Sequence, residues 1–299
     1  MSEFKPSDFV GVTLGKKLGA GTYGTVYVGL LRDGRFVAVK QLSAEGADTG
    51  SPECSLAKGD DKDSIEIQVH RRLNHPHIIR YLHSQLDAER SPPVLNVYLE
   101  FVTGGSLTSI MKTLPGGCLP PPVARVYGRH IFLGLSYLHS NGVAHRDIKG
   151  ENVLVSQDTG MAKLADFDQA KVVGGSLTMK AKGGGAGEGA AKTLAGTPFW
   201  IAPEVITQEE GYDPFKADIW SATCTVAEMF TGKAPWLPMS SPMAVMYKLA
   251  NSTGWPDAVP TDKAVLGDEL HSFLTLGFQR DPKQRPCADE MLKHPYLCV

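Results

Sequence analysis

The most chemically loaded stretch of the chain is His145-Arg-Asp-Ile-Lys-Gly-Glu-Asn152, followed by the apolar triplet Val153-Leu-Val155. A loop so dense in ionisable side chains beside a strand is hard to account for by stability. Asp147 can accept a proton from a hydroxyl. Lys149 can neutralise a phosphoryl oxygen, and Asn152 offers a neutral oxygen to a hard cation. A second acidic stretch, Asp166-Phe-Asp168, follows the strand-like Met161-Ala-Lys-Leu-Ala165. Ser156 to Gly160 is turn-like, so the two strands should form a hairpin. The start of one strand then lies beside the end of the other. That brings Asn152 and Asp166 together as two oxygen donors for Mg²⁺ beside a base.

A second group of residues lies far upstream. Gly19-Ala20-Gly21-Thr-Tyr-Gly24-Thr-Val26 has the form G-x-G-x-x-G-x-V. Glycines let a backbone approach a phosphate and present its N–H groups. A dinucleotide-binding version would open a helix, whereas here a strand follows. Taken alone, the segment reads equally well as a glycine-rich hairpin without a ligand. Val37-Ala38-Val39-Lys40 comes next, and strand alternation puts Lys40 on the side of Ala38. Lys40 could then reach phosphates under the loop, with Glu66 on the following helix as the acid that fixes it. Without that context Glu66 is a surface charge.

Stepping outward, Val10 to about Phe101 reads mainly as strands, with an Asp-Gly hairpin signal at Arg32-Asp-Gly-Arg35. Residues 41–64 lose periodicity and read as an insertion. Ile65, Val69 and Leu73 stand at helical spacing. Ile78–Leu82 and Leu95–Leu99 read as two more strands. After Thr103-Gly-Gly-Ser106 the pattern turns helical. Val126, Tyr127, Ile131, Leu135 and Leu138 mark one helix, and Asp218 to Phe230 reads as a buried one. Further helices are expected at Met243–Leu249, Asp268–Phe278 and Ala288–Leu292. The order is α+β, a small β-rich lobe before a larger α-helical one. Lys180 to Lys192 is a glycine-rich tract that reads as a linker.

With 299 residues, 42% hydrophobic and 21% charged, the chain suits one bilobal domain or two domains. A formal charge of -2 speaks against nucleic acid, which needs a basic face. Five scattered cysteines suit reduced thiols in the cytoplasm. There is no apolar run of membrane-spanning length and no apolar signal core at the start.

In their order these residues resemble the eukaryotic protein kinases. The resemblance rests on the glycine loop, Val-Ala-Val-Lys40, Glu66, His-Arg-Asp147 to Asn152, Asp166-Phe-Asp168 and Ala202-Pro-Glu204. His145-Arg-Asp-Ile-Lys-Gly-Glu-Asn152 and Gly196-Thr-Pro-Phe-Trp-Ile-Ala-Pro-Glu204 resemble the Ser/Thr kinases of the MAP kinase kinase kinase (STE) group. The resemblance implies a bilobal protein-kinase domain over 1–299, with an N-lobe to about 101, a hinge at about 100–105 and a C-lobe from about 106. It implies transfer of the γ-phosphate of ATP, with Mg²⁺, to Ser/Thr hydroxyls of a protein substrate.

The same resemblance assigns roles. Gly19, Gly21 and Gly24 would cover the phosphates, with Ala20, Val26 and Ala38 among the nucleotide contacts. Lys40 would hold the α- and β-phosphates and pair with Glu66. Leu99 would flank the adenine, with Glu100 to Val102 as hinge backbone. Asp147 would orient the hydroxyl and accept its proton, Lys149 would offset phosphoryl charge, and Asn152 and Asp166 would hold Mg²⁺. Arg146 would pair with a phosphorylated Thr193, with Ser176 and Thr178 as alternatives, while Thr197 would contact Asp147 and Lys149. Glu204 and Arg285 would form a buried ion pair, and Asp218 would brace the catalytic loop. A downstream MAP kinase kinase is the expected substrate. A regulatory partner or upstream kinase is the expected control, since 299 residues leave no room for a large extra domain.

The chain departs from the family at Asp168, where the family has glycine, and at His70, where it packs an aliphatic side chain. Asp168 is expected to leave Asp166 working and to narrow the flipped conformations, with an added metal ligand as the competing idea. His70 reads as a neutral core histidine, with a pH-sensitive brake as the sharper alternative. A pseudokinase that binds nucleotide or partners with little turnover is the competing function.

Overall fold

The computed structural model describes residues 4–21, 24–43, 65–173, 198–207 and 211–298. The side chains of Ser43, Ile65 and Glu66 are outside that description. Thr193, Ser176, Thr178, Thr197 and the glycine-rich tract lie outside the described residues, as does most of the expected insertion. The chain divides into two compact units, Met1–Thr103 and Gly104–Val299.

Among the described residues the first unit is a five-stranded antiparallel sheet and one α-helix. The strands are β1 (Thr13–Ala20), β2 (Gly24–Leu30), β3 (Phe36–Ser43), β4 (Tyr81–Asp87) and β5 (Val94–Glu100), and α1 (Ile65–Arg72) precedes β4. Their order across the sheet is β1-β2-β3-β5-β4. The Asp-Gly hairpin forms as expected, with Gly34 at φ 87 and its N–H on the Leu31 carbonyl. Two sequence boundaries need correction. β3 runs on through Gln41, Leu42 and Ser43, because each pairs with β5. The run Ile78–Leu82 is not a strand at its start. Ile78 and Ile79 are buried just after a turn at Pro76 and His77, and β4 begins at Tyr81. Ile78 makes a single β-bridge, and the apolar character of both residues serves burial ahead of the strand. His70, itself buried, donates from Nε2 to the Ile79 carbonyl at 2.7 Å, so it ties α1 to this segment.

The sheet buries both faces. On one, Ile67 of α1 packs with Leu95 and Val97. On the other, Phe9 packs with Leu31, Val37, Val39 and Tyr98. Phe9 belongs to a 3-10 turn, Pro6–Phe9, whose aromatic stack with Phe4, His83 and Tyr98 was not legible in the sequence.

The second unit is mainly helical. It contains α2 (Leu107–Met111), α3 (Pro121–Ser140), the short strands β6 (Val143–Ala144), β7 (Val153–Val155), β8 (Ala162–Leu164) and β9 (Lys171–Val172), and then α4 (Pro203–Ile206) and α5 (Pro214–Thr231). It ends with α6 (Pro242–Asn251), α7 (Lys263–Leu266), α8 (Asp268–Gly277) and α9 (Ala288–Met291). α5 is the core, with every residue from Ala217 to Met229 buried. α3 lies against it, but its buried stripe runs through Ala124, Gly128, Ile131, Leu135 and Leu138. The expected Val126 and Tyr127 are only half-buried. The face is rotated because Gly128 allows close approach to Val226 and Leu297.

Among the described residues no helix is long and apolar enough to cross a membrane.

Candidate active site

In the second unit the expected hairpin forms. β7 and β8 pair antiparallel with Val153 opposite Leu164, and the Ala165 N–H donates to the Asn152 carbonyl at 2.8 Å. Asp166 is therefore the residue next to Asn152's own backbone partner. The Asn152 amide donates to the Asp147 carbonyl at 2.9 Å and to Asp147 Oδ2 at 2.8 Å. Lys149 Nζ reaches the same Oδ2 at 2.8 Å. Asp147 and Lys149 are both mostly buried, at 12% and 14% exposure. Two donors on one oxygen fix the plane of the Asp147 carboxylate and offset its charge.

The loop that carries Asp147 is held from α5. Asp218, fully buried, accepts the N–H groups of His145 at 2.8 Å and Arg146 at 2.7 Å, and His139 Nε2 donates to it at 3.0 Å. This bracing has work to do, since Arg146 sits at φ 67. A non-glycine residue there costs about 1–3 kcal/mol and persists only when its surroundings impose it. Among the described residues no carboxylate pairs with the Arg146 side chain. Asp166 also has positive φ, 64, which aspartate tolerates better than most residues.

The sequence pattern gives His145 no role of its own, but the structure does. It is fully buried, donates from Nε2 to the Ala165 carbonyl at 3.1 Å, and accepts the Asp147 N–H at Nδ1, 3.3 Å away. Those two partners set its tautomer. It thereby links the loop of Asp147 to the residue before Asp166, and its ring lies 5.0 Å from that of Phe167.

Asp168 occupies a turn closed by the Ala170 N–H on the Phe167 carbonyl at 2.9 Å. Positive φ falls on Asp166 and not on Asp168, so this conformation requires no glycine at 168.

Glu204 and Arg285 form the ion pair that the resemblance implied. Arg285 bonds both carboxylate oxygens, at 2.7 and 3.2 Å, and both side chains are buried. Its remaining N–H groups go to the carbonyls of Gln279 and Lys216.

A further buried acid, Glu228 of α5, carries no signal in the sequence. Burial pushes its carboxyl up to about 7, against hydrogen bonds from Trp200 and Gly150 that favour the charged form. The folded chain keeps this proton where the unfolded chain has lost it. Stability therefore falls as pH rises from 4.5 toward about 7. Glu228→Gln cannot ionise. Its stability relative to wild type is expected to rise by about 2 kcal/mol from pH 5 to pH 8. Urea unfolding at both pH values measures this, and an unchanged difference would contradict it.

In the first unit, cross-strand register places Val26, Lys40 and Val97 in one row and Val28, Ala38 and Leu99 in the next, all on one sheet face. It is the face on which α1 packs. Lys40 is 8% exposed. Glu66 lies in α1, but its side chain is outside the described residues. Gly19 and Ala20 end β1, and the Gly21 N–H donates to the Gly24 carbonyl. Gly24 is required by packing, because a Cβ there would lie 2.3 Å from the Gln41 carbonyl oxygen. Among the described residues no neighbour within 4 Å constrains Gly19. Glu100 accepts the Arg80 N–H, and Val102 is buried.

The chain belongs to the protein kinase domain family, whose model matches residues 12–297. Within that class it is similar to the mitogen-activated protein kinase kinase kinase ANP1 of Arabidopsis thaliana, 40% identical over 284 residues. That match covers 95% of this chain and 39% of the relative. It is also similar to mitogen-activated protein kinase kinase kinase 3 of Arabidopsis thaliana, 38% identical over 99% of this chain and 44% of the relative. To mitogen-activated protein kinase kinase kinase 19 of Mus musculus it is 39% identical over 95% of this chain and 20% of the relative. The chain thus spans less than half the length of these relatives.

Proposed function

We propose that the chain transfers the γ-phosphate of ATP to Ser/Thr hydroxyls of protein substrates, in the upper tier of a MAP kinase cascade. The observation that carries the reading is the Asp147 carboxylate, clamped by Lys149 and Asn152 on a loop held by Asp218. Phosphoryl transfer asks mainly for positioning and charge neutralisation, and this cluster supplies both. Asp147 orients the attacking hydroxyl and takes its proton. Lys149 offsets charge on the moving group.

The donors fit Mg²⁺. The Asn152 amide nitrogen is spent on Asp147, which leaves its oxygen for a cation, and Asp166 presents an exposed carboxylate beside it. Mg²⁺ characteristically takes one or two protein oxygens and fills its shell with phosphate and water. When bound, it would neutralise charge on the phosphate oxygens. Lys40, the Gly19–Gly24 turn, Val26, Ala38 and Leu99 are assigned to the nucleotide, with Glu66 pairing Lys40 and Glu100 to Val102 flanking the base. Thr193 is assigned as the phosphosite that Arg146 recognises.

A MAP kinase kinase is the proposed substrate and the cytoplasm the proposed compartment. The four described cysteines, Cys118, Cys224, Cys287 and Cys298, are free thiols, which suits reducing surroundings. Incubation with a catalytically inactive MAP kinase kinase, followed by site mapping, tests this. Modification of its Ser/Thr residues faster than of a generic basic protein is expected, and equal rates would contradict the cascade assignment.

The turn at Asp168 favours turnover over the pseudokinase reading, since it accommodates the side chain without strain. Asp168→Gly is expected to change turnover by less than about tenfold. A gain of about a hundredfold in steady-state rate would show instead that Asp168 holds the site inactive.

A further inference from the structure

The catalytic loop and the segment bearing Trp200 share one support. Glu228 is 6% exposed. It accepts the Trp200 indole N–H at 3.0 Å and the Gly150 backbone N–H. Trp200 is also fastened through its backbone, since Ser221 Oγ donates to its carbonyl at 2.8 Å. The approach of the loop depends on glycine between Lys149 and Glu151. A Cβ at 150 would lie 2.6 Å from Thr108 Oγ1 and 3.2 Å from Glu228 Oε2. Thr108 Oγ1 is buried and has no hydrogen-bond partner among the described residues. Charged and titratable groups face Glu228 from three elements. Glu151 of the loop repels its charge and Lys112, just after α2, attracts it. Cys224, about one turn earlier on α5, is a buried thiol pushed up by burial and then by Glu228 itself.

We propose that Glu228 is a positioning residue whose ionised carboxylate holds Gly150 and Trp200 in one arrangement, and that proton uptake by Glu228 loosens the catalytic loop from the Trp200 segment. An ionised carboxylate only accepts, so both N–H groups find an oxygen. Taking a proton from solvent turns one oxygen into a donor. That O–H opposes an N–H unless it rotates toward another acceptor, and Thr108 Oγ1 lies beside the same glycine. Burial sets the transition at about 7, within reach of physiological change. The catalytic consequence rests on the proposed kinase reading, because it acts through the loop of Asp147. The structural coupling does not.

The test follows Trp200 fluorescence in the whole chain, as the difference between wild type and Trp200→Phe, from about pH 5.5 to about pH 8.5. A sigmoidal change centred near 7, absent in Glu228→Gln, is expected. The ratio of transfer rates at pH 8 and pH 6 should also be at least about threefold larger in wild type than in Glu228→Gln. A flat Trp200 signal in wild type overturns the proposal, and that readout needs no change at 228. A Glu228→Gln signal that titrates like wild type overturns it as well, and equal rate ratios overturn the catalytic consequence. A titrating Trp200 signal with no transfer at any pH leaves the coupling standing and refutes the kinase reading.

Discussion

Asp147→Asn is expected to lower phosphate transfer by about two to four orders of magnitude, or about 3–5 kcal/mol of barrier, in a chain that remains folded. Asparagine keeps the shape of aspartate and an oxygen for Lys149 Nζ and the Asn152 amide, which now meet at Oδ2. It cannot take the hydroxyl proton. The fold should survive because the loop is fastened mainly through its backbone. Asp218 holds the N–H groups of His145 and Arg146, and His145 bonds the Ala165 carbonyl. Initial rates and thermal melting on the same preparation check both halves. Full activity in the variant would remove Asp147 from the proton-accepting role.

The largest stability effect is expected at Arg285. Arg285→Ala leaves the Glu204 carboxylate buried at 1% exposure without its partner, and takes donors from the carbonyls of Gln279 and Lys216. Breaking a buried pair on one side costs about 3–5 kcal/mol, because the surviving charge is stranded in a poor solvent. The Arg285 guanidinium also lies 5.2 Å from the Trp220 ring, and alanine cannot replace that cation–π attraction. Urea unfolding should show a lower midpoint at unchanged slope. The double variant Glu204→Gln, Arg285→Met should lose less than Arg285→Ala, because no charge is left unpaired. A single-variant loss below about 1 kcal/mol would mean that Glu204 is neutral or solvated in the folded chain.

What the sequence revealed of the site depended on distance along the chain. The Asn152–Asp166 juxtaposition was legible because it needs one local hairpin, whose turn and strand signals lie within fifteen residues of each other. The face shared by Ala38 and Lys40 followed from strand alternation alone. Asp218 and the Glu204–Arg285 pair became legible through family resemblance rather than through pattern. Glu228 did not, because it sits in an apolar helix that reads as pure core, and its partners come from Gly150 and Trp200. The aromatic stack of Phe4 and Phe9 on the sheet escaped for the same reason, with His83 and Tyr98 supplied from far along the chain. Ile78 and Ile79 misled because short apolar runs mark burial as readily as strands.

The most direct test supplies the chain with γ-labelled ATP and Mg²⁺ and a generic basic protein, beside Asp147→Asn, and identifies the labelled residue after hydrolysis. Label on serine or threonine, formed by wild type and nearly absent with the variant, is the predicted result. No label with wild type, or equal label with Asp147→Asn, would contradict the assignment of the Asp147 cluster as a phosphotransfer site.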